Sequence, residues 1–332
     1  MHVCLLHQLV PDDASADEQD VLAQAAAISG ALAELGHTID VLACTLDLAR
    51  VAGDLRSQRP DLVFNLVESL AGTDSLQCLV ALVVESLGLP MTGSSGAAIL
   101  NSGRKGFAKA LLRSAGLPTP GWHGLKTLAA NRPEFIAGRY ILKSVLEHAS
   151  LGMTDADVVT VSSADDLRDQ LRAKETSFGR PVFAEAYVDG REFNLSLLEG
   201  AGGIEILPPA EIRFVDFPAG KPKIVGSAAK WDVASFEYAA TVRSFELEAA
   251  DGPLVQRLSE LAVACWQAMD LHGYARVDFR VDEQGFPWIL EANANPCLSP
   301  DAGFAAAAGQ AGIRYSEVIG RIVGTATVRR EE

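Results

Sequence analysis

Positive charge is in short supply in this 332-residue chain: 28 Lys and Arg stand against 43 Asp and Glu, a formal net charge of −15. Such a surplus of carboxylates repels a polyphosphate backbone, which argues against nucleic acid as a partner. A small anionic ligand is not excluded, because it needs only local positive charge. Cysteine is also scarce. The five residues, Cys4, Cys44, Cys78, Cys265 and Cys297, are odd in number, scattered and without metal-ligand spacing. They read as reduced thiols of a cytosolic, cytoplasmic protein. No apolar run reaches bilayer-spanning length, so no membrane span is expected. The N-terminus runs straight into a short apolar strand without a basic n-region or an A-x-A cleavage site, and no signal peptide is expected. Low-complexity stretches and short repeats are missing too. What remains is a globular profile, 48% hydrophobic and 21% charged, in a chain too long for one core. Two or three domains are expected.

The first third alternates strand and helix patterns. Val3 to Leu6, Thr38 to Ala43 and Asp61 to Leu66 read as strands. Val21 to Leu35 and Leu76 to Leu87 carry helical spacing of apolar residues. This alternation predicts an α/β unit with a parallel sheet, whose ligands gather at the carboxyl ends of strands. Those ends are His7 to Asp13 and Asn65 to Ser69. Arg104 to Ser114 reads as a further helix, stopped by Gly116-Leu-Pro-Thr-Pro120. Tyr140 to Ser144 and Val158 to Val161 read as strands around a small-residue loop.

The segment Tyr274 to Pro296 carries the most chemistry. Alternation places Arg276, Asp278 and Arg280 on one strand face, with Val277, Phe279 and Val281 on the other. Ile289, Glu291 and Asn293 share a face of the next strand. A two-residue turn at Gln284-Gly285 pairs Asp278 with Glu291 and Arg276 with Asn293. Two carboxylates and an amide oxygen then converge beside a guanidinium, a hard-oxygen set suited to magnesium carrying phosphates. Facing carboxylates repel without a cation. The same spacing also fits a solvent-facing hairpin with an acidic outer side. Lys143, late in an apolar strand and followed by small residues, fits either a phosphate site or a snorkelling lysine. Pro181 to Leu197 reads as two strands about a turn at Asp189-Gly190. Glu185 and Glu192 there lie in apolar surroundings and need partners or solvent. After Leu207 to Arg213, a polar, Gly/Pro-bearing segment that runs to Asp232 reads as a surface loop or a mobile lid.

In order, these pieces resemble the ATP-grasp superfamily, and most closely the D-alanine–D-alanine ligase family. The resemblance rests on Gly273-Tyr-Ala-Arg-Val-Asp-Phe279, Leu290-Glu-Ala-Asn-Ala-Asn-Pro296, Asp189-Gly-Arg-Glu-Phe193, Gly116-Leu-Pro-Thr-Pro120 and Pro90-Met-Thr-Gly-Ser94. It implies a three-domain α/β (α+β) fold: an N-terminal parallel-sheet domain over 1–95, a central small subdomain over 96–180 and a C-terminal subdomain over 181–332. ATP would lie between the antiparallel sheets of the last two. By position, the resemblance makes Lys105 and Lys143 phosphate-binding lysines, with Ser150 of the middle loop beside the nucleotide. Glu185 becomes the adenine-contacting acid, Ala186 and Val188 the hinge backbone, and Glu192 the ribose binder. Asp278, Glu291 and Asn293 become the ligands of two Mg2+ ions, with Mn2+ as the alternative. Lys230 becomes the lid lysine, and Arg276 with the backbone N–H of Cys297 the oxyanion donors. The implied substrates are a small carboxylate and an amine, joined through an acylphosphate, and the implied assembly is a homodimer.

Departures from the family gather on the amino-acid side. His7 to Pro11 replaces paired glycines, and Glu68-Ser69 replaces His-Gly. His148-Ala149-Ser150 replaces Gly-Ser-Ser, Trp231 a lid tyrosine, and Cys297-Leu-Ser299 Gly-Met-Thr. A substrate-holding serine aligns with Ala302. Arg104 replaces the aspartate before Lys105. The family's link from an acid through a serine to the lid tyrosine cannot form with Ala149 and Trp231. Glu18, Glu68, His148 and Trp231 are therefore the candidates for recognising a different amino-acid substrate.

Overall fold

In the computed structural model the described residues are 1–11, 14, 16–129, 135–145 and 152–326, without the side chains of 16–18 and 129. Strands β1 (His2–Gln8), β2 (Thr38–Cys44) and β3 (Leu62–Asn65) form a parallel sheet in the order β2-β1-β3. Helices α1 (Ala16–Glu34), α2 (Leu48–Gln58) and α3 (Cys78–Ser86) cover it. Alternation sends Val3 and Leu5 into a core with Ile28 and Leu32, and Cys4 and Leu6 into another with Leu55 and Val84. Burial on both faces is why β1 reads as one apolar run. The chain leaving β1 and β3 brings Gln8 and Glu68 to the rim of a cleft, as expected for strand ends of a parallel sheet.

Helices α4 (Gly96–Gly103) and α5 (Lys105–Ser114) come next, then β4 (Trp122–His123), α6 (Leu125–Ala129), β5 (Gly138–Ser144), β6 (Val158–Val161), α7 (Ala164–Phe178) and β7 (Val182–Ala186). The four strands make an antiparallel sheet ordered β4-β7-β5-β6. Helix α7 starts where Ser163 accepts from the Asp166 N–H at 3.1 Å and stops at left-handed Gly179. Its Leu167 and Leu171 pack with Leu142 and Ala184.

The third sheet holds β8 (Arg191–Gly200), β9 (Gly203–Ile206), β10 (Ala210–Phe214), β11 (Thr241–Ser244), β12 (Tyr274–Val281) and β13 (Pro287–Asn293). Its order is β11-β10-β8-β12-β13, with β9 also paired to β8. Short helices α8 (Ser227–Trp231) and α9 (Phe236–Ala240) lie between β10 and β11. Helix α10 (Gly252–Ala268) backs the sheet, while α11 (Gly303–Gln310) and α12 (Tyr315–Gly324) end the chain, α12 against α1. The sheet's rear face buries Phe193, Leu195, Val277, Phe279, Ile289 and Ala292 against Leu258 and Leu261 of α10 and Ala108 and Leu112 of α5.

Three expectations change here. The two strands around Asp189-Gly190 do not pair with each other: β7 joins the four-stranded sheet and β8 the six-stranded one. The turn is a crossing point, where a Cβ on Gly190 would fall 2.0 Å from the Val281 carbonyl oxygen. The change of sheet follows Ala186, and α4 and α5 pack on β13. Finally, the β12–β13 loop is one residue longer than a two-residue turn. Asp282 N bonds the Phe286 carbonyl at 3.0 Å, and Gly285 takes a φ of 80°. A bulge at Leu290 absorbs that residue, so Arg276 still pairs with Asn293 and Asp278 with Glu291. Ile289 is displaced to the core face by the same bulge, correcting its expected place beside Glu291.

Candidate active site

A cleft of about 1070 Å³ separates the two antiparallel sheets and opens toward the N-terminal sheet. Strand alternation supplies its polar floor: Glu192, Asn194 and Ser196 from β8, Arg276, Asp278 and Arg280 from β12. Glu291 and Asn293 come from β13, Lys143 from β5, and Glu185, Ala186 and Val188 from the crossing between sheets. Lys105 enters from the start of α5, Lys230 and Trp231 from α8.

Cations and carboxylates interlock in the half between the sheets. Lys143 Nζ lies 2.5 Å from Glu185 Oε1, while Lys109 Nζ holds Oε2. Glu185 is 2% exposed; burial alone would raise its pKa, but the two ammonium groups outweigh it and hold the carboxyl below the usual range. Burial pushes Lys109 down, with Glu185 opposing. Arg280 pairs with Glu192 at 2.8 Å, although burial still leaves that carboxyl above its ordinary value. Lys105 donates to Glu291 Oε2 at 2.8 Å. Burial opposes its charge, yet Glu291 and its neighbours carry the ammonium above its ordinary pKa. Half-buried Lys230 is lowered, chiefly by burial.

Asp278 accepts both Arg276 Nε at 2.8 Å and a second guanidinium nitrogen at 2.9 Å, and Asn194 Nδ2 at 2.8 Å. The cross-strand carboxylates Asp278 and Glu291 are thus each held by a protein cation, Arg276 and Lys105 respectively. This satisfies the requirement that such a pair be neutralised. With Asn293 they form an all-oxygen donor set flanked by phosphate-compatible cations, which fits Mg2+ better than a nitrogen- or sulfur-preferring metal.

Hydrogen bonds take over from ion pairs toward the N-terminal sheet. Glu68 accepts from Gln24 Nε2 at 3.2 Å, and its N–H donates to Gln8 Oε1 at 3.1 Å. Gln24 Oε1 accepts the Leu298 N–H at 2.6 Å. Asp20 accepts from Ser299 Oγ at 3.1 Å and from Cys297 Sγ at 3.2 Å. Burial, aided by Glu68, pushes the Cys297 thiol up to about 12, so it is a protonated donor at neutral pH. Tyr274 donates to Asn295 Oδ1 at 2.6 Å.

The segment between β10 and β11 is tied across the cleft. Ser227 N donates to the Met153 carbonyl at 2.9 Å, and Lys223 N to Tyr187 Oη at 2.9 Å. Lys221 bridges Asp155 and Glu237. A Cβ on Gly226 would come within 2.8 Å of the Met153 oxygen, so only glycine permits this approach.

The cleft gathers Lys105, Lys143, Glu185, Ala186, Val188, Glu192, Lys230, Trp231, Arg276, Asp278, Glu291, Asn293, Glu68 and Cys297. His148, Ala149 and Ser150 lie outside the described residues, as does the Glu18 side chain. From the same helix, Asp20 and Gln24 make the described contacts. Sequence reasoning missed these two, along with Lys109, Asn194 and Ser299. Two of the misses carried a signal: Lys109 shares the buried helical face of Ala108 and Leu112, and Asn194 follows Glu192 by one strand period.

Comparison with known proteins agrees with this geometry. The D-alanine–D-alanine ligase of Gluconobacter oxydans is 29% identical over 302 residues, covering 90% of this chain and 91% of its own. The uncharacterized protein y4sG of Sinorhizobium fredii is 29% identical over 308 residues, covering 90% and 86%. The solved structure of D-alanine–D-alanine ligase from Bacillus anthracis complexed with ATP matches with a TM-score of 0.71 at 22% identity, covering 98% of this chain and 97% of that one. The family described as D-ala D-ala ligase C-terminus matches residues 111–324, well over half of the sequence. The chain therefore belongs to the D-alanine–D-alanine ligase family of ATP-dependent carbon–nitrogen ligases, built on the ATP-grasp fold.

Proposed function

We propose that this ligase joins a small carboxylate to an amine through an acylphosphate, and that its amino-acid pair differs from two D-alanines. The carrying observation is the contrast within one cleft. Lys105, Lys143 and Arg276 are ion-paired with Glu291, Glu185 and Asp278, while hydrogen bonds tie Glu68 and Cys297 to Gln24 and Asp20 toward the N-terminal sheet. Glu68 and Cys297, with Trp231 and Ala302, are the positions that we read as departures from the family. Lys105, Lys143 and Lys230 supply positive charge for the nucleotide phosphates. Glu185 with the backbone at Ala186 and Val188 faces the base, and Glu192 the ribose. Asp278, Glu291 and Asn293 would hold Mg2+, which when bound offsets charge on the phosphate oxygens.

In the first step a carboxylate oxygen attacks the γ-phosphorus, the bond to the β-phosphate oxygen breaks, and ADP leaves. Lys230 and Lys143 offset charge on the transferring group. The amine nitrogen then attacks the acyl carbon, with Arg276 and the Cys297 N–H stabilising the tetrahedral oxyanion until phosphate departs. The ties of Ser227 to Met153 and Lys223 to Tyr187 support a lid that keeps water from the acylphosphate. Glu68, Trp231 and, on its helix, Glu18 are our candidates for substrate recognition, with His148 from the middle loop. Two copies pairing through the N-terminal sheet complete the reading, checked by mass in solution.

An ADP-release screen of amino acids and small carboxylates with magnesium tests the proposal. Release should require both a carboxylate and an amine, and 18O from the carboxylate should appear in phosphate. Tight ATP binding with no ADP from any pair would instead indicate a nucleotide-binding accessory protein. Relatives named D-alanine–D-alanine ligase make D-alanine alone the first pair to compare.

A further inference from the structure

Lys109 is a buried cation, 1% exposed, that lies behind the cleft residue Glu185, and no step above uses it. An ammonium has three donors, and three described acceptors surround this one. They are Glu185 Oε2, Thr119 Oγ1 at 3.0 Å and the Leu290 carbonyl at 3.3 Å. Leu290 is the residue of the β13 bulge. Its neighbours are gripped from the same side: Ile289 N donates to the Pro118 carbonyl at 2.9 Å, and Thr119 Oγ1 donates to the Ile289 carbonyl at 2.8 Å. Lys105, one helical turn before Lys109, takes the Glu291 carboxylate at 2.8 Å. Three consecutive residues, 289 to 291, are therefore clamped by α5 and the chain that follows it.

The bulge decides which way Glu291 points. Without it, strand alternation would put Ile289 and Glu291 on one face, sending either an isoleucine into the cleft or the carboxylate into the core. A bulge leaves a carbonyl outside the ladder, and Lys109 donates to that carbonyl and to Thr119 while its charge pairs with the Glu185 carboxylate. One buried ammonium thus joins the carboxylate on β7 to the strand that presents Glu291 and Asn293.

We propose that Lys109 is a positioning residue that fixes the Leu290 bulge, and with it the metal-facing phase of Glu291, while orienting Glu185 at the nucleotide end. The proposal rests only on the nucleotide-binding half of the reading above and is independent of the amino-acid pair. It makes Thr119 a separable part of the device. Thr119 supports the bulge and has no described bond to Glu185, whereas Lys109 serves both ends.

The test is calorimetric binding of the non-hydrolysable imido analogue of ATP to the full chain, with and without Mg2+. It reads no turnover, so it still decides if the proposed reaction is wrong. Thr119→Val should leave metal-free affinity unchanged and reduce the gain conferred by Mg2+ about tenfold, the scale seen when a residue orienting a metal ligand is removed. Lys109→Met should reduce both by about tenfold or more. A Lys109→Met protein of lowered thermal midpoint but undiminished affinities would overturn the proposal, as would Thr119→Val with the full magnesium gain. If Lys109→Met does not fold, the Thr119→Val result alone decides.

Discussion

The two halves of the cleft are held together by different physics. Between the antiparallel sheets, each described carboxylate meets a cation: Lys105 with Glu291, Lys109 and Lys143 with Glu185, Arg276 with Asp278, Arg280 with Glu192. Toward the N-terminal sheet the named contacts are hydrogen bonds among Gln8, Asp20, Gln24, Glu68, Cys297 and Ser299. Removing one member of a buried ion pair strands a charge, which costs about 3–5 kcal/mol. Losing one hydrogen-bonding partner costs about 1–3 kcal/mol. The first half resists change, and the second can be rebuilt for another substrate by single substitutions.

The sharpest way to break this contrast is at the strand pair. Asp278→Asn or Glu291→Gln should lower ADP formation by on the order of a thousandfold, about 4 kcal/mol in the barrier, with circular dichroism unchanged. Turnover near that of the unaltered protein would remove the metal assignment. In the other half, Gln24→Leu removes the bonds that Gln24 makes to the Glu68 carboxylate and to the Leu298 N–H. It should raise KM for the amino substrate about tenfold while KM for ATP stays constant. An equal rise in both would mean that the halves are not separable.

Acid titration separates them by sign. Glu185 has a folded pKa below its unfolded value of about 4.3. Its contribution to stability is present above that value and is lost as pH falls through the folded one. Lys143→Met takes away one of the two ammonium groups, so the loss of thermal stability on acidification should begin at higher pH than in the unaltered protein. Coincident profiles would show that Lys143 does not support the carboxylate. The smallest effect concerns Cys297. With its thiol at about 12, iodoacetamide labelling at pH 8 should run far slower than for a free cysteine thiol. Rapid labelling would mean that the Asp20 and Glu68 side is wetter than the geometry shows.

These halves also differ in how much the sequence discloses. Strand alternation and pairing put Asp278 opposite Glu291 and Arg276 opposite Asn293 because period two is strict, and the structure keeps that register. It does so through two compensating irregularities, a longer loop and a bulge, and neither leaves a mark in the hydrophobic pattern. The parallel N-terminal sheet is legible because β1 is buried on both faces. That β7 and β8 part into different sheets is not legible, since Asp189-Gly190 suits a hairpin turn as well as a crossing. The hydrogen bonds from Asp20 and Gln24 to residues 297–299 join positions more than 270 apart in the chain, where no local period reaches.

The proposed function combines an ATP half typical of the family with an altered amino-acid half. The most direct measurement is kcat/KM for D-alanine as the sole amino acid against kcat/KM for the best pair from the ADP-release screen, at saturating Mg2+ and ATP. The account predicts that D-alanine is poorer by about a hundredfold or more, close to 3 kcal/mol of discrimination, with KM for ATP alike in both reactions. D-alanine alone as the fastest substrate would contradict it.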